Sequence, residues 1–150
     1  MVSNIDINNI LKDVKSFQGC YSSNKLPQVK QKQKWSFITN LSKYGEAGTH
    51  WIAIGKFKKR IIYFDSFGLQ PSGLILRYLK NNFPRFFYSS LTIQHPFSLS
   101  CGFFVICFCI INELNISFDD FIKKFSRTNL YNNDKVIVKW INKLTKNKYY

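Results

Sequence analysis

Acidic residues are scarce in this sequence. Eight Asp and Glu stand against twenty-two Lys and Arg, leaving a formal charge of +14 over 150 residues. No long hydrophobic run occurs either: the longest, Phe103 to Ile111, falls far short of the roughly 20 residues that span a bilayer. The first fifteen residues, MVSNIDINNILKDVK, contain neither a basic leader nor an unbroken apolar stretch, so no signal peptide and no membrane partner are expected. The four cysteines include no C-x-x-C pair. Without a secretion signal that pattern favours reduced thiols over a disulfide framework, and the protein is expected inside the cell and not secreted. Repeats, low-complexity tracts and Pro/Gly/Ser-rich linkers are absent as well, so residues 1–150 are expected to form one domain.

What is present suits a packed interior. Hydrophobic residues make up 45% of the chain and aromatics 17%, with 15 Phe, which argues against disorder. The excess of cations has two readings. One is a polyanionic partner, double-stranded DNA above all, met by a basic surface; the other is the solvated surface of a Lys- and Asn-rich chain. No long basic block concentrates the charge. The nearest groupings are Lys30 to Lys34, Lys58-Lys59-Arg60, and Lys143 to Lys148.

Periodicity predicts a first amphipathic helix over 4–16, with Ile5, Ile7, Ile10, Leu11 and Val14 at mostly helical intervals. FQGCYSSNKLP (17–27) reads as a loop by its Gly, Ser, Asn and Pro. Three strands are predicted at Trp35–Leu41, His50–Lys56 and Arg60–Phe64, and a fourth at Phe86–Gln94. Pro71 is expected near the first turn of a helix reaching Asn82. The segment from Cys101 to Leu114 is apolar all round, as a helix buried in the core would be, with Ser98 or Ser100 available to cap it. Ser117 opens a further helix and residues 133–146 form the last. This order gives an α+β fold: a small mixed or antiparallel sheet packed on a buried helix, with other helices around it.

That buried helix begins with SCGFF. A cysteine in its first position lies at the positive end of the helix dipole, where unpaired N–H groups favour the thiolate. A cysteine nucleophile needs a base, and the base an orienting group. There are two histidines. His50 lies in GTHWIAIG, and Asp65, in YFDSFG, follows at the end of the next strand, where a tight hairpin would bring it beside the His50 ring. Gln94 stands seven positions before Cys101; its side-chain amide and the Cys101 N–H would make two oxyanion donors. His95 is closer to Cys101 in sequence, but Pro96 bends its segment and no carboxylate matches it. Taken singly, each residue has a plain structural reading: a packed thiol, a strand histidine, a turn aspartate. Cys107 and Cys109 are read that way. A metal site from Cys107, Cys109 and His95 is disfavoured, because a C-x-C spacing on a helix turns the two sulfurs about 200° apart.

GTHW, YFDSFG, a Gln and SCGFF, in this order, resemble the adenovirus-type (adenain-like) cysteine endopeptidases, whose wider clan includes the SUMO-specific proteases. The resemblance runs from FQGCYSSNKLP to the Cys101 helix, about three quarters of the chain. It implies His50 as general base, Asp65 as its orienter, Cys101 as nucleophile and Gln94 as oxyanion donor. It further implies Trp51 as a wall of the cleft holding substrate glycines, with Gly48, Gly68 and Gly102 permitting close approach. The adenoviral enzymes carry Glu where this chain has Asp65, and Asp is usual in the SUMO-specific branch. They also tether an activating peptide through a cysteine ahead of the Gln. No cysteine lies between Cys20 and Cys101, so that tether is not expected here. In its compact Lys/Asn/Phe-rich character the chain resembles proteases of virophages and polintons. The implied function is cleavage of viral capsid or core precursors at Gly-containing sites, by a monomer without a cofactor, with DNA or a peptide as a possible activator. The implied location is the virion and the infected cell, in its nucleus or a cytoplasmic virus factory. The alternatives are a protease for ubiquitin-like modifiers and, outside catalysis, a basic nucleic-acid-binding protein, for which no RNP, zinc-finger or helix-turn-helix signature is found.

Overall fold

A computed structural model describes residues 1–29 and 34–146. Of the basic groupings, Lys30, Lys32 and Lys148 lie outside the described residues. The chain folds as α1 (Asn4–Ile10), β1 (Phe17–Tyr21), β2 (Trp35–Asn40), β3 (Trp51–Phe57), β4 (Arg60–Phe64), α2 (Gly73–Asn82), β5 (Phe87–Tyr88), α3 (Cys101–Glu113), α4 (Phe118–Lys123) and α5 (Leu130–Thr145). The five strands form one mixed sheet in the order β1-β2-β3-β4-β5. Its centre is antiparallel, with Trp35 opposite Lys56 and Ala53 opposite Phe64, and its two edge strands are parallel to their neighbours. The α+β architecture expected from the sequence is the one observed.

Two cores sandwich the sheet. On one face α3 packs with α1, α4 and α5, around Phe64, Phe104, Phe108 and Phe121. On the other, α2 covers Trp35, Phe37, Ile54 and Tyr63. All but two residues of α3 are buried, as its uniformly apolar sequence requires, and each fully buried Phe contributes roughly 1.5–3 kcal/mol. Gly55 lets α3 come close: a Cβ there would stand 2.9 Å from the Phe108 ring.

Several expectations are corrected. The 17–27 segment is not all loop, because Phe17–Tyr21 pairs with β2 as a parallel edge strand. Gly19 at φ +115° and a register shift between Phe17 and Cys20 give it its turn-like composition. The first helix stops at Ile10, with Ser3 capping it in a box with Asp6. Pro71 does stand near the start of its helix, one residue before the cap, Ser72. Of the segment 86–94 only Phe87–Tyr88 pairs, so Gln94 does not end a strand. Neither Ser98 nor Ser100 caps α3: Ser100 takes the cap position, but its side chain makes no cap bond.

Candidate active site

His50 lies just ahead of β3 and Asp65 just after β4, so the β3–β4 hairpin sets the two side by side. His50 Nε2 and Asp65 Oδ1 are 2.7 Å apart, with 8% and 2% of each residue exposed. The carboxylate is itself fixed, since its Oδ1 also accepts from the Phe67 N–H at 2.8 Å. The Phe67 ring then stacks on the imidazole, with centroids 4.7 Å apart and planes at 22°. The turn needs Gly68, at φ +73° with a Cβ position only 2.7 Å from backbone atoms of Ser90 and Leu91.

The third member arrives from the opposite layer. Cys101 is the first residue of α3 and 2% exposed, and its side chain lies close enough to the His50 ring to raise it. With Nε2 engaged by Asp65, Nδ1 is the nitrogen left to exchange a proton with the thiol. Burial alone pushes the His50 ring down. The hydrogen bond to Asp65, the neighbouring Cys101 thiol and the charges of both outweigh it and raise the ring to about 9. Hence the imidazole holds its proton at neutral pH. The N–H groups of Cys101 and Gly102 open the helix and have no intrahelical acceptor.

The other thiols differ. Burial pushes Cys20 and Cys107 up to about 12, and Cys109 higher still, so none is a ready nucleophile. Cys107 and Cys109 belong to the main core. His95 sits in the loop before α3, where its N–H meets the Asp134 carboxylate at 3.3 Å and its ring Nδ1 accepts from Phe97.

Gln94 is 1% exposed. The Ser66 hydroxyl donates to its Oε1, and its Nε2 lies 3.1 Å from both the carbonyl and the hydroxyl of Ser98. The amide thus joins the residue after Asp65 to the turn that leads into Cys101.

Trp51 and Gly102 meet the N-terminal segment. The indole N–H of Trp51 donates to the Val2 carbonyl at 3.0 Å. A Cβ on Gly102 would come 2.0 Å from Val2 Cγ2 and 3.4 Å from Trp51 Cδ1. Gly48, Trp51 and Asn40 line a cleft of about 600 Å³ with Met1–Asn4, Tyr21 and Tyr44. Asn40 is 6% exposed; its Oδ1 is held by Ser42 and Thr49, but its Nδ2 is buried without an acceptor. Asn40, Ser66, Phe67 and Val2 were not singled out from the sequence. Ser66 and Phe67 stand inside YFDSFG, a signal that was available; Asn40 and Val2 carry none, because their positions depend on contacts distant in sequence.

No family model and no curated protein matches the chain. Among solved structures it is similar to two crystal structures of the ASFV pS273R protease, one of the Se-Met protein. Identity is 15% to the Se-Met form and 18% to the other, each with a TM-score of 0.63 over 91% of this chain. The chain spans 66% of the length of that protease. At this identity the likeness establishes the fold: a single sheet and a buried helix arranged as in that protease.

Proposed function

We propose that this chain, folded like the ASFV pS273R protease, is a cysteine endopeptidase with Cys101 as nucleophile, His50 as general acid and base, and Asp65 as orienter. The observation that carries the reading is the His50 Nε2–Asp65 Oδ1 contact of 2.7 Å on an imidazole that also has the Cys101 side chain beside it. A structural histidine needs one partner; this one is bracketed by a carboxylate and a thiol at a helix start.

Cys101 Sγ, its proton on His50, attacks the substrate carbonyl carbon, and the carbonyl oxygen takes the negative charge. The Cys101 N–H and the Gln94 amide supply donors for that oxyanion. His50 passes its proton to the leaving amine, the C–N bond breaks, and a thioester remains on Cys101. Water then attacks the thioester while His50 takes its proton; the C–S bond breaks, and the acid and the Cys101–His50 pair are regenerated.

The substrate is an extended chain with glycine before the scissile bond, lying in the cleft lined by Gly48 and Trp51. The likeness to a viral protease and the adenain-like order of motifs support capsid or core precursors, in a virion or infected cell, as its substrates. The net charge of +14, with Lys58, Lys59 and Arg60 exposed on the β3–β4 turn, supports double-stranded DNA as a second partner.

The test pairs a peptide library with a panel of ubiquitin-like modifier fusions. Cleavage of short Gly-containing peptides, abolished by Cys101→Ala, supports maturation of precursors. Cleavage of fusions alone supports a modifier-processing enzyme, and cleavage unaffected by Cys101→Ala rejects the site.

A further inference from the structure

Gln94 lies on an irregular segment, yet both its backbone and its side chain are held from two sides. The Ser66 carbonyl accepts from the Ile93 and Gln94 N–H groups at 2.9 and 3.1 Å. From α5, Asn133 Nδ2 donates to the Ile93 carbonyl at 3.0 Å, and the next residue, Asp134, accepts from the His95 N–H. Consecutive residues of the C-terminal helix therefore grip the positions on either side of Gln94.

The side-chain amide has only one orientation compatible with its neighbours. The Ser98 main-chain carbonyl can only accept, so the amide atom 3.1 Å from it must be the nitrogen. The oxygen then faces Ser66, whose hydroxyl must donate. At the other end the Ser98 hydroxyl accepts from Gln94 Nε2, and the Asp134 carboxylate holds the N–H of the next residue, His95, at 3.3 Å. Ser66 is fully buried and Asp134 is 7% exposed.

We propose that Ser66, which holds the Gln94 amide oxygen, and Asp134, which holds the N–H of the residue after it, are positioning residues that clamp Gln94, so that its amide nitrogen is presented to the turn carrying Cys101 before any substrate arrives. This rests on the reading of Gln94 as an oxyanion donor. When charge develops on a substrate carbonyl beside Cys101, that oxyanion outcompetes the neutral Ser98 oxygens for the Nε2 hydrogens. Donors already aimed at the developing charge need no reorganisation in the transition state. Neither residue touches the substrate. Asp134 belongs to α5, which carries none of the catalytic motifs.

The experiment compares Ser66→Ala, Ser66→Thr and Asp134→Ala on a cleavable Gly-containing peptide, a peptide ending in glycinal, and iodoacetamide. Glycinal forms a hemithioacetal whose oxygen occupies the oxyanion position, whereas alkylation forms no oxyanion. Ser66→Ala and Asp134→Ala should lower kcat and glycinal affinity by about 10- to 100-fold, with KM and the alkylation rate of Cys101 within about twofold of the parent. Ser66→Thr, which keeps the hydroxyl, should retain most of the activity. Added to Gln94→Ala, Ser66→Ala should cost less than about twofold more. Equal losses in alkylation, or a full additional loss on the Gln94→Ala background, would overturn the clamp. A parent protein that cleaves no peptide would reject the protease reading but not the clamp, which NMR reads directly. Exchange of the Gln94 Nε2 hydrogens with solvent should be at least about tenfold faster in Ser66→Ala than in the parent, and unchanged exchange would overturn the proposal.

Discussion

Val2 and Trp51, 49 positions apart, are joined by a hydrogen bond of 3.0 Å from the indole N–H to the main-chain carbonyl. The bond folds the N-terminal segment over the residue after the candidate nucleophile, and the Val2 side chain fills the space a Cβ on Gly102 would need. Gly102 is therefore a glycine because of Val2. Gly102→Ala should destabilise the protein by about 1–3 kcal/mol through overpacking. Because the clashing atom is the end of one small side chain, Val2→Ala should recover part of that loss. Thermal denaturation of the two single variants and the double variant checks this; additive losses would place the clash elsewhere.

A second glycine is constrained by backbone. Gly68→Ala meets both a φ of +73° and main-chain atoms at 2.7 Å, whereas Gly45, at φ +88°, has nothing within 4 Å of its Cβ position. Gly68→Ala should cost more than about 2 kcal/mol, and Gly45→Ala about 1 kcal/mol. The Gly68 variant should also lower kcat, since the displaced Ser90–Leu91 backbone leads directly to Gln94. Equal effects at the two positions would contradict this account.

Thiol reactivity should single out Cys101. Burial raises the other three thiols, while Cys101 alone of the four has a histidine beside it. Iodoacetamide at mildly acidic pH should label Cys101 first, and His50→Ala should slow that labelling by at least about tenfold. Mass spectrometry of digested protein reads both, and dominant labelling of Cys20 would refute the assignment.

The pH profile follows from the imidazole. His50 is raised to about 9, so the proton needed by the leaving amine is lost as pH rises through that value, and kcat/KM should fall there. Asp65→Asn should move this alkaline limb toward the ordinary value of 6.5. Stability changes in the same sense. A histidine whose value is raised by folding contributes its full stabilisation, on the order of 3 kcal/mol, below the unfolded value of 6.5. That contribution is lost progressively as pH climbs to about 9. Denaturant midpoints between pH 6 and 10 should therefore decline in the parent and less so in His50→Ala. Turnover should fall by at least about a thousandfold in His50→Ala and far less in His95→Ala.

DNA retention should be strong at low salt and lost at high salt, because each phosphate neutralised by Lys or Arg releases a counterion. Lys58→Glu together with Lys59→Glu should weaken it uniformly across sequences. Retention that does not change with salt, or no retention at all, would remove DNA as a partner.

The sequence by itself determined the parts of the molecule whose signals are local. A run apolar on every side can be stable only inside a core, so α3 and the place of Cys101 at its start were legible without coordinates. The two apolar, β-rich runs and the short turn around Lys58 made the β3–β4 hairpin, and with it the meeting of His50 and Asp65, readable in the same way. Tertiary structure alone decided what depends on partners far along the chain. Phe17–Tyr21 has the composition of a loop and becomes a strand because β2 offers it an edge. Gln94 looked like the end of a strand, but Ser66 and α5 hold it where no strand exists. Val2 carries no local signal, and its role is set by a cavity that Trp51 and Gly102 leave between them. Periodicity records which face of an element is buried; it holds no record of which distant backbone groups will satisfy a polar side chain, and these become fixed only when the chain closes on itself.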